Sequence, residues 1–411
     1  MNGLTSKDNI LLIYHKEDAD GLMSAAITYC YLYGLTWDEA VKKAKEGIVE
    51  EWVTGVFESI VGDAENNGQT LKLPCGADVT LKGVSYADLT NLADSAGGAD
   101  KIVSKWRKKY TRVIATDISF NETGVMFSLY NKYKENFVWF DHHKPAIASS
   151  ENTDRPFDKA AGLRDTATSA LMLVYHYFYG TGYCHSLCQS MQTAPEMLRL
   201  LAGYDSWQPK THLIGSLDRA LAFTKGFEHE IKMSLAGAIR YAAFAIYSSI
   251  IYNEYENSLK ELKETDAAAY GNILQYGGYV NSYLDTALAD IECEGNVVID
   301  TQKQMWKQSV EQYGDYGFTV NGESCCALFS QMPSNSKMFG CVRDKGVEHV
   351  AVFKRTPESK WALSLYNTRD DSKFCVGAYL KERYGGGGHQ GAGGATLSLG
   401  QFDAIMVSRN I

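Results

Sequence analysis

At 411 residues the chain is too long for one average hydrophobic core, which points to two domains or to one large domain with insertions. Its 45% hydrophobic and 22% charged residues are those of an ordinary globular protein and exclude a disordered, collagenous or coiled-coil chain. A formal net charge of −9 excludes a protein that coats long duplex DNA through a general basic surface, because that mode neutralises many phosphates; a short anionic substrate held by a local cationic site stays compatible.

The first apolar run, residues 10–14, is followed at once by His15, Lys16, Glu17, Asp18 and Asp20, which no secretory leader tolerates. No stretch reaches the length of a membrane span, so no membrane partner and a cytoplasmic location are expected. Two further apolar runs share the pattern of the first: 113–115 leads to Asp117, and 137–140 leads to Asp141, His142 and His143. Runs that are apolar throughout suit parallel strands covered on both faces, and ligands of such sheets bind at the carboxyl ends of the strands. Residues 22–33 read as a helix behind the first strand. The stretch 36–109 exceeds a minimal crossover and is read in part as an insertion, with an amphipathic piece at 37–56 and a turn or loop at 63–68. Helical patterns follow at 166–179 and 195–204, and a long Ala- and Tyr-rich helical stretch at 216–262 leads out of the first domain. The C-terminal part changes character, with strand-like pieces at 325–329, 349–354, 361–366 and 395–399 and a short helix at 376–384 before a run of four glycines. Nine scattered cysteines without a C-x-x-C give neither a disulfide framework nor a zinc-finger spacing and read as reduced.

His15, Asp18, Asp20, Asp117, Asp141, His142, His143 and Asp205 form a set of oxygen and imidazole donors at predicted strand or helix ends. Taken singly each is weak: Asp117 reads as well as a turn aspartate, and Asp205 as a residue bonded to a helix end. Jointly, with Cys absent, they favour manganese or magnesium over a thiolate zinc site, and the imidazoles tip the balance toward manganese or another transition metal. Phosphoryl hydrolysis uses two cations roughly 3.5–4 Å apart, and the set is large enough for two centres.

The segments His15-Lys-Glu-Asp18-Ala-Asp20-Gly21, Ala-Thr-Asp117, Asp141-His142-His143-Lys-Pro and Gly-Tyr-Asp205 resemble the ordered motifs of DHH phosphoesterases. The run Gly385-Gly386-Gly387-Gly388-His389 followed by Ala392-Gly-Gly-Ala395 is similar to the signature of the DHHA1 domain, so the resemblance spans nearly the whole chain except about 39–107. It implies an α/β fold: an N-terminal parallel-sheet DHH domain (1–215, with the insertion at about 36–109) with helices on both faces, a helical linker (216–290), and a smaller mixed α/β DHHA1 domain (291–411), with the active site in the cleft between them. By the same resemblance His15, Asp18 and Asp117 hold one divalent cation and Asp20, Asp117, His142 and Asp205 the other, Asp117 bridging. His143 then faces the scissile phosphate, and Asp141 supports the histidine pair.

Four consecutive glycines let backbone approach a phosphate, and His389 adds a donor; a flexible turn is the plain alternative. Arg343 and Arg369 are taken as substrate contacts because arginine binds phosphate bidentately. His176, His185, His212, His229 and His349 are read as carrying no chemistry. The expected activity is a manganese-dependent phosphodiesterase or exonuclease that converts short oligonucleotides or linear dinucleotides to mononucleotides. Its rivals are a pyrophosphatase, polyphosphatase or nucleoside bisphosphate phosphatase with the same metals, and a non-catalytic nucleotide-binding module. Whether the chain forms a homodimer is not legible in the sequence.

Overall fold

A computed structural model describes residues 4–411 except 60–67, 87, 89–97, 121–123, 152, 153, 155, 181–186, 188–190, 192, 209, 253–255, 333, 344, 357, 358, 370, 371 and 389. The chain divides into two compact units, 1–296 and 297–411.

The first unit is built on a five-stranded sheet of order β2-β3-β1-β4-β5: β1 (Asn9–His15), β2 (Gln69–Lys72), β3 (Asp78–Val84), β4 (Arg112–Thr116) and β5 (Phe137–Phe140). Strands β3, β1, β4 and β5 are mutually parallel, and β2 closes one edge antiparallel to β3. The continuous apolar run of β1 has a simple cause: Ile10, Leu12 and Tyr14 enter one hydrophobic cluster and Leu11 and Ile13 the other, so both faces are covered. On the first face lie α1 (Ala19–Tyr33), α2 (Trp37–Glu46) and α3 (Val49–Glu58). On the second lie α4 (Ala99–Lys109) and α5 (Val125–Tyr133). Asp18 starts α1 as its N-cap, and Gly34, at φ 104°, ends it in the left-handed conformation open to glycine.

The stretch read as an insertion is corrected in part by the structure. Residues 69–84 form a hairpin whose second strand, β3, lies directly beside β1 with Leu12 opposite Leu81 and His15 opposite Val84. The expected turn at 63–68 lies largely outside the described residues; Gly68, at φ 86°, is the part of it that the structure places. Parallel register puts the carboxyl ends of four strands level: Tyr14 pairs with Thr116, and Thr116 with Phe140. The residues that follow these strands therefore share one rim.

After β5 come α6 (Lys144–Ser150), α7 (Ala170–Tyr175), which continues as a π-helical turn over His176–Gly180, and α8 (Glu196–Asp205). The helical stretch expected as a linker packs inside the first unit: in α10 (Leu235–Tyr252), which follows α9 (Leu217–Glu230), Ala238, Ala242, Ala245 and Ile246 are buried in the same cluster as α1. After α11 (Glu256–Thr265), the two units divide at 296/297, within the 47-residue helix α12 (Ala267–Tyr313), not at about 290.

The second unit holds a six-stranded mixed sheet, order β10-β11-β9-β8-β7-β6: β6 (Asp315–Val320), β7 (Glu323–Phe329), β8 (His349–Arg355), β9 (Trp361–Asn367), β10 (Gly387–Gly388) and β11 (Ala392–Leu397). Among the described strands of this second sheet, only β7 and β8 pair in parallel. Helices α13 (Gly340–Arg343), α14 (Val376–Tyr384) and α15 (Leu399–Ser408) complete it. The strand expected at 395–399 begins earlier and stops at Leu397, because Ser398 and Gln401 form a reciprocal capping box that starts α15. No helix among the described residues is long and apolar enough to cross a membrane.

Candidate metal centre

The shared rim gathers the expected ligands. His15 is the last residue of β1. Asp18, as N-cap of α1, accepts the Gly21 amide on Oδ1 at 2.9 Å, and its Oδ2 lies 2.8 Å from His15 Nδ1. Asp20 sits in the first turn of α1, and its two oxygens accept the amides of Leu171 and Ala170 at 2.8 and 2.9 Å. Those amides open α7, so a carboxylate near the N-terminus is fixed by backbone 150 residues away.

Asp117 follows β4 at φ 56°, a backbone conformation that Asp and Asn adopt more readily than most residues, with its amide donating to the Phe140 carbonyl at 2.9 Å. Its side chain is 1% exposed; Oδ2 stands 3.5 Å from His15 Nδ1 and Oδ1 3.4 Å from His142 Nε2. His142 Nε2 is also 3.2 Å from Asp205 Oδ2, at the end of α8, and 3.7 Å from Asp20 Oδ2. Ligand atoms thus converge as His15, Asp18 and Asp117 on one side and as Asp20, His142 and Asp205 on the other, each set within 4.8 Å. Asp117 belongs to the first and reaches the second through His142. A further grouping joins Asp117, His142 and His143.

Among the described residues, His15 Nδ1, Asp117 Oδ1 and Asp205 Oδ2 are buried atoms that make no well-formed hydrogen bond, although their neighbours are close. Buried polar atoms are rarely left so. Carboxylate and imidazole atoms gathered this closely fit divalent cations, which His15, Asp18 and Asp117 on one side and Asp20, His142 and Asp205 on the other would hold.

The electrostatics agree. Burial works against charge on His15, yet Asp117 and Asp18 hold its pKa up to about 11; burial likewise opposes His142, which Asp117, Asp205 and Asp20 raise to about 11. Burial pushes Asp205 up to about 7 with Asp117 adding to it, and drives Asp20 upward. Asp117 is held low despite its burial, by His142 and His15. Without cations the cluster therefore retains protons that ligation must displace. At pH 7–8, titrating manganese into chelator-treated protein is expected to release at least two protons per chain, one from each imidazole with Asp20 and Asp205 adding to them, and affinity should rise with pH across neutrality. Calorimetry in buffers of different ionisation enthalpy measures this; binding with no proton release would remove His15 and His142 from the ligand set.

Asp141 is fully buried. Its Oδ1 accepts the His143 amide at 2.9 Å and faces His143 Nδ1 at 2.8 Å, while Oδ2 accepts the Trp139 indole at 3.2 Å. A carboxylate only accepts, so His143 carries its proton on Nδ1 and leaves its Nε2 edge uncommitted to Asp141.

Two neighbours escaped the sequence reading. Tyr86, just beyond β3, lies against both His15 and His143; recognising β3 as a strand ending on the same rim would have found it. His212, fully buried and pushed by burial to a pKa of about 4, sets Nε2 3.3 Å from Thr168 Oγ1 and 3.4 Å from Ser206 Oγ. It joins the segments that carry the Asp20-binding amides and Asp205; no signal in the sequence separates it from an ordinary core histidine.

The glycine run has internal reasons for its composition. Gly385 is the left-handed C-cap of α14, a Cβ on Gly386 would meet the Gly394 carbonyl at 2.3 Å, and one on Gly388 would meet the Ala392 carbonyl at 2.4 Å. A Cβ on Gly387 meets nothing within 4 Å. His389 lies outside the described residues. Arg343 spends Nε and Nη2 on the Thr368 carbonyl at 2.9 and 2.7 Å, and Arg369 lies 3.8 Å from Glu348. Nothing in these contacts marks either arginine as a substrate group.

No protein-family model matches the sequence, and no curated protein matches it. Among solved structures, the chain is similar to a pGpG-specific phosphodiesterase from Vibrio cholerae (12% identity, 98% of this chain and 97% of that one, TM-score 0.36). It is similar also to an exopolyphosphatase-related protein from Bacteroides fragilis (11% identity, 98% and 91%, TM-score 0.38). A third likeness is to RecJ from Thermus thermophilus in complex with Mn2+ (11% identity, 98% and 51%, TM-score 0.39).

Proposed function

We propose that the chain is a DHH-type phosphoesterase that binds two divalent cations, manganese foremost, and hydrolyses short oligonucleotides or linear dinucleotides to mononucleotides. The single observation that supports it most is the buried Asp117 carboxylate, which has one oxygen toward each of two converging ligand sets. Bound there, two cations would activate water and neutralise charge on the entering and leaving oxygens. The protein's own part is placement. Asp20 is clamped by two amides, Asp117 by its strand-end backbone, and the indole of Trp139 with Asp141 orients His143 so that its Nε2 edge serves the phosphate. In the second unit Gly387 is the glycine of the proposed phosphate loop with open space at its Cα.

The test is hydrolysis of 5′-phosphorylated RNA and DNA dinucleotides and of pyrophosphate, with manganese, magnesium or chelator. Manganese-dependent release of mononucleotide, abolished by chelator, is the expected result. Turnover of pyrophosphate alone would replace this substrate class by phosphoanhydrides, and tight dinucleotide binding without turnover would make the chain a binding module.

A further inference from the structure

The side chain of Tyr86 stands on the rim of the metal centre, from the segment after β3, which carries none of the sequence motifs. Its position is fixed from both sides. The Ser85 amide donates to Asp88 Oδ2 at 2.9 Å and the Asp88 amide to Ser85 Oγ at 3.1 Å, which locks the backbone around Tyr86. Lys16, next to His15, places its ammonium 2.8 Å from the same Asp88 oxygen and its amide 3.2 Å from the Val84 carbonyl. The ligand-bearing loop after β1 and the segment after β3 are thus tied together.

The Tyr86 ring packs at 5.4 Å and 56° on His15 and at 6.2 Å and 87° on His143, spanning the first ligand set and the histidine beside Asp141. Its hydroxyl lies in the field of Asp141, Asp117, Asp18 and Asp205. Tyr86 is 43% exposed, whereas Asp20, Asp117 and Asp141 are buried. Among the described residues, Tyr86 and His143 stand together at this rim as donors for an entering anion, while the carboxylates would hold the cations.

We infer that the Tyr86 hydroxyl donates a hydrogen bond to a non-bridging oxygen of the phosphoryl group at the metal centre, which makes it a catalytic residue. This rests on the phosphoesterase reading above. A phenol suits the place: it is a neutral donor that neither competes for the cations nor adds a positive charge beside them.

The full-length protein and its Tyr86→Phe and Tyr86→Leu variants are compared in three measurements: manganese affinity by calorimetry, inorganic phosphate binding to the manganese-loaded protein, and turnover of a dinucleotide and of bis(p-nitrophenyl) phosphate. Tyr86→Phe should leave manganese affinity unchanged, weaken phosphate binding, and lower kcat about tenfold or more on both substrates. Phosphate affinity and turnover both within twofold of the parent would overturn the inference while leaving the phosphoesterase reading standing. A parent that hydrolyses neither substrate but loses phosphate affinity on Tyr86→Phe would do the opposite, keeping the hydroxyl contact and removing the phosphoesterase reading. If Tyr86→Phe is silent and Tyr86→Leu raises KM for the dinucleotide alone, the ring is a base platform and the hydroxyl contact is wrong; a parent that binds no phosphate overturns it as well.

Discussion

Asp117→Asn is expected to lower turnover on the order of 10³-fold or more, beyond the 10–100-fold typical of groups that only support a metal ligand. Asn is the informative replacement, because at φ 56° it keeps the backbone conformation that an alanine would strain. The amide has one acceptor oxygen, so it serves His15's side or His142's side but not both. Metal analysis after gel filtration should therefore show the loss of at least one of two manganese ions, with the far-ultraviolet circular dichroism of the parent retained. Two bound ions and turnover within tenfold of the parent would dismiss Asp117 as the bridge.

Gly21→Ala should damage fold and centre together. A Cβ at this position would stand 2.1 Å from the His15 carbonyl oxygen and 2.7 Å from His15 Cβ, and backbone cannot turn aside as a long side chain can. Relief comes only if the first turn of α1 moves away from the end of β1. Overpacking of this kind costs about 1–3 kcal/mol, and contact with backbone puts it toward the upper end. The movement would separate His15 from Asp18, now 2.8 Å apart, and carry Asp20 away from His142, now 3.7 Å apart. Thermal unfolding of the metal-free protein and manganese titration report the two effects; an unchanged melting temperature with native affinity would show that the close approach is not needed.

Much of the first unit was legible because its strands are buried on both faces. Asn9–His15, Arg112–Thr116 and Phe137–Phe140 read as unbroken apolar runs, and the donors at their ends fell on one rim. The strand Asp78–Val84 was missed because Thr80, Lys82 and Gly83 interrupt its apolar pattern, although Thr80 and Gly83 are buried and Lys82 is partly buried there. With it went Tyr86. The 47-residue helix was not read as one element, since glycines at 271, 277, 278 and 295 look like breaks in a sequence window. Gly295 is in fact where that helix meets Leu217–Glu230: a Cβ there would come 1.7 Å from the Ala222 carbonyl, and one on Gly226 1.8 Å from that of Ile291. A glycine that breaks an isolated helix serves here to let two helices touch. For Arg343 and Arg369 residue type was the whole of the argument, and their contacts with Thr368 and Glu348 add nothing to it.

The clamp on Asp20 also sets an order of assembly during synthesis. His15, Asp18 and Asp117 lie within about a hundred residues, so a nascent chain that has paired its first and fourth strands already holds one half of the centre. The other half waits, because Asp20 is fastened only when Ala170 and Leu171 arrive, and Asp205 follows 35 residues after Ala170. Closing loops of such length is entropically slow and comes late in folding. The two ligand sets therefore cannot both be complete before Asp205, at the midpoint of the polypeptide, has emerged from the ribosome, and an incomplete translation product is left with the first set alone.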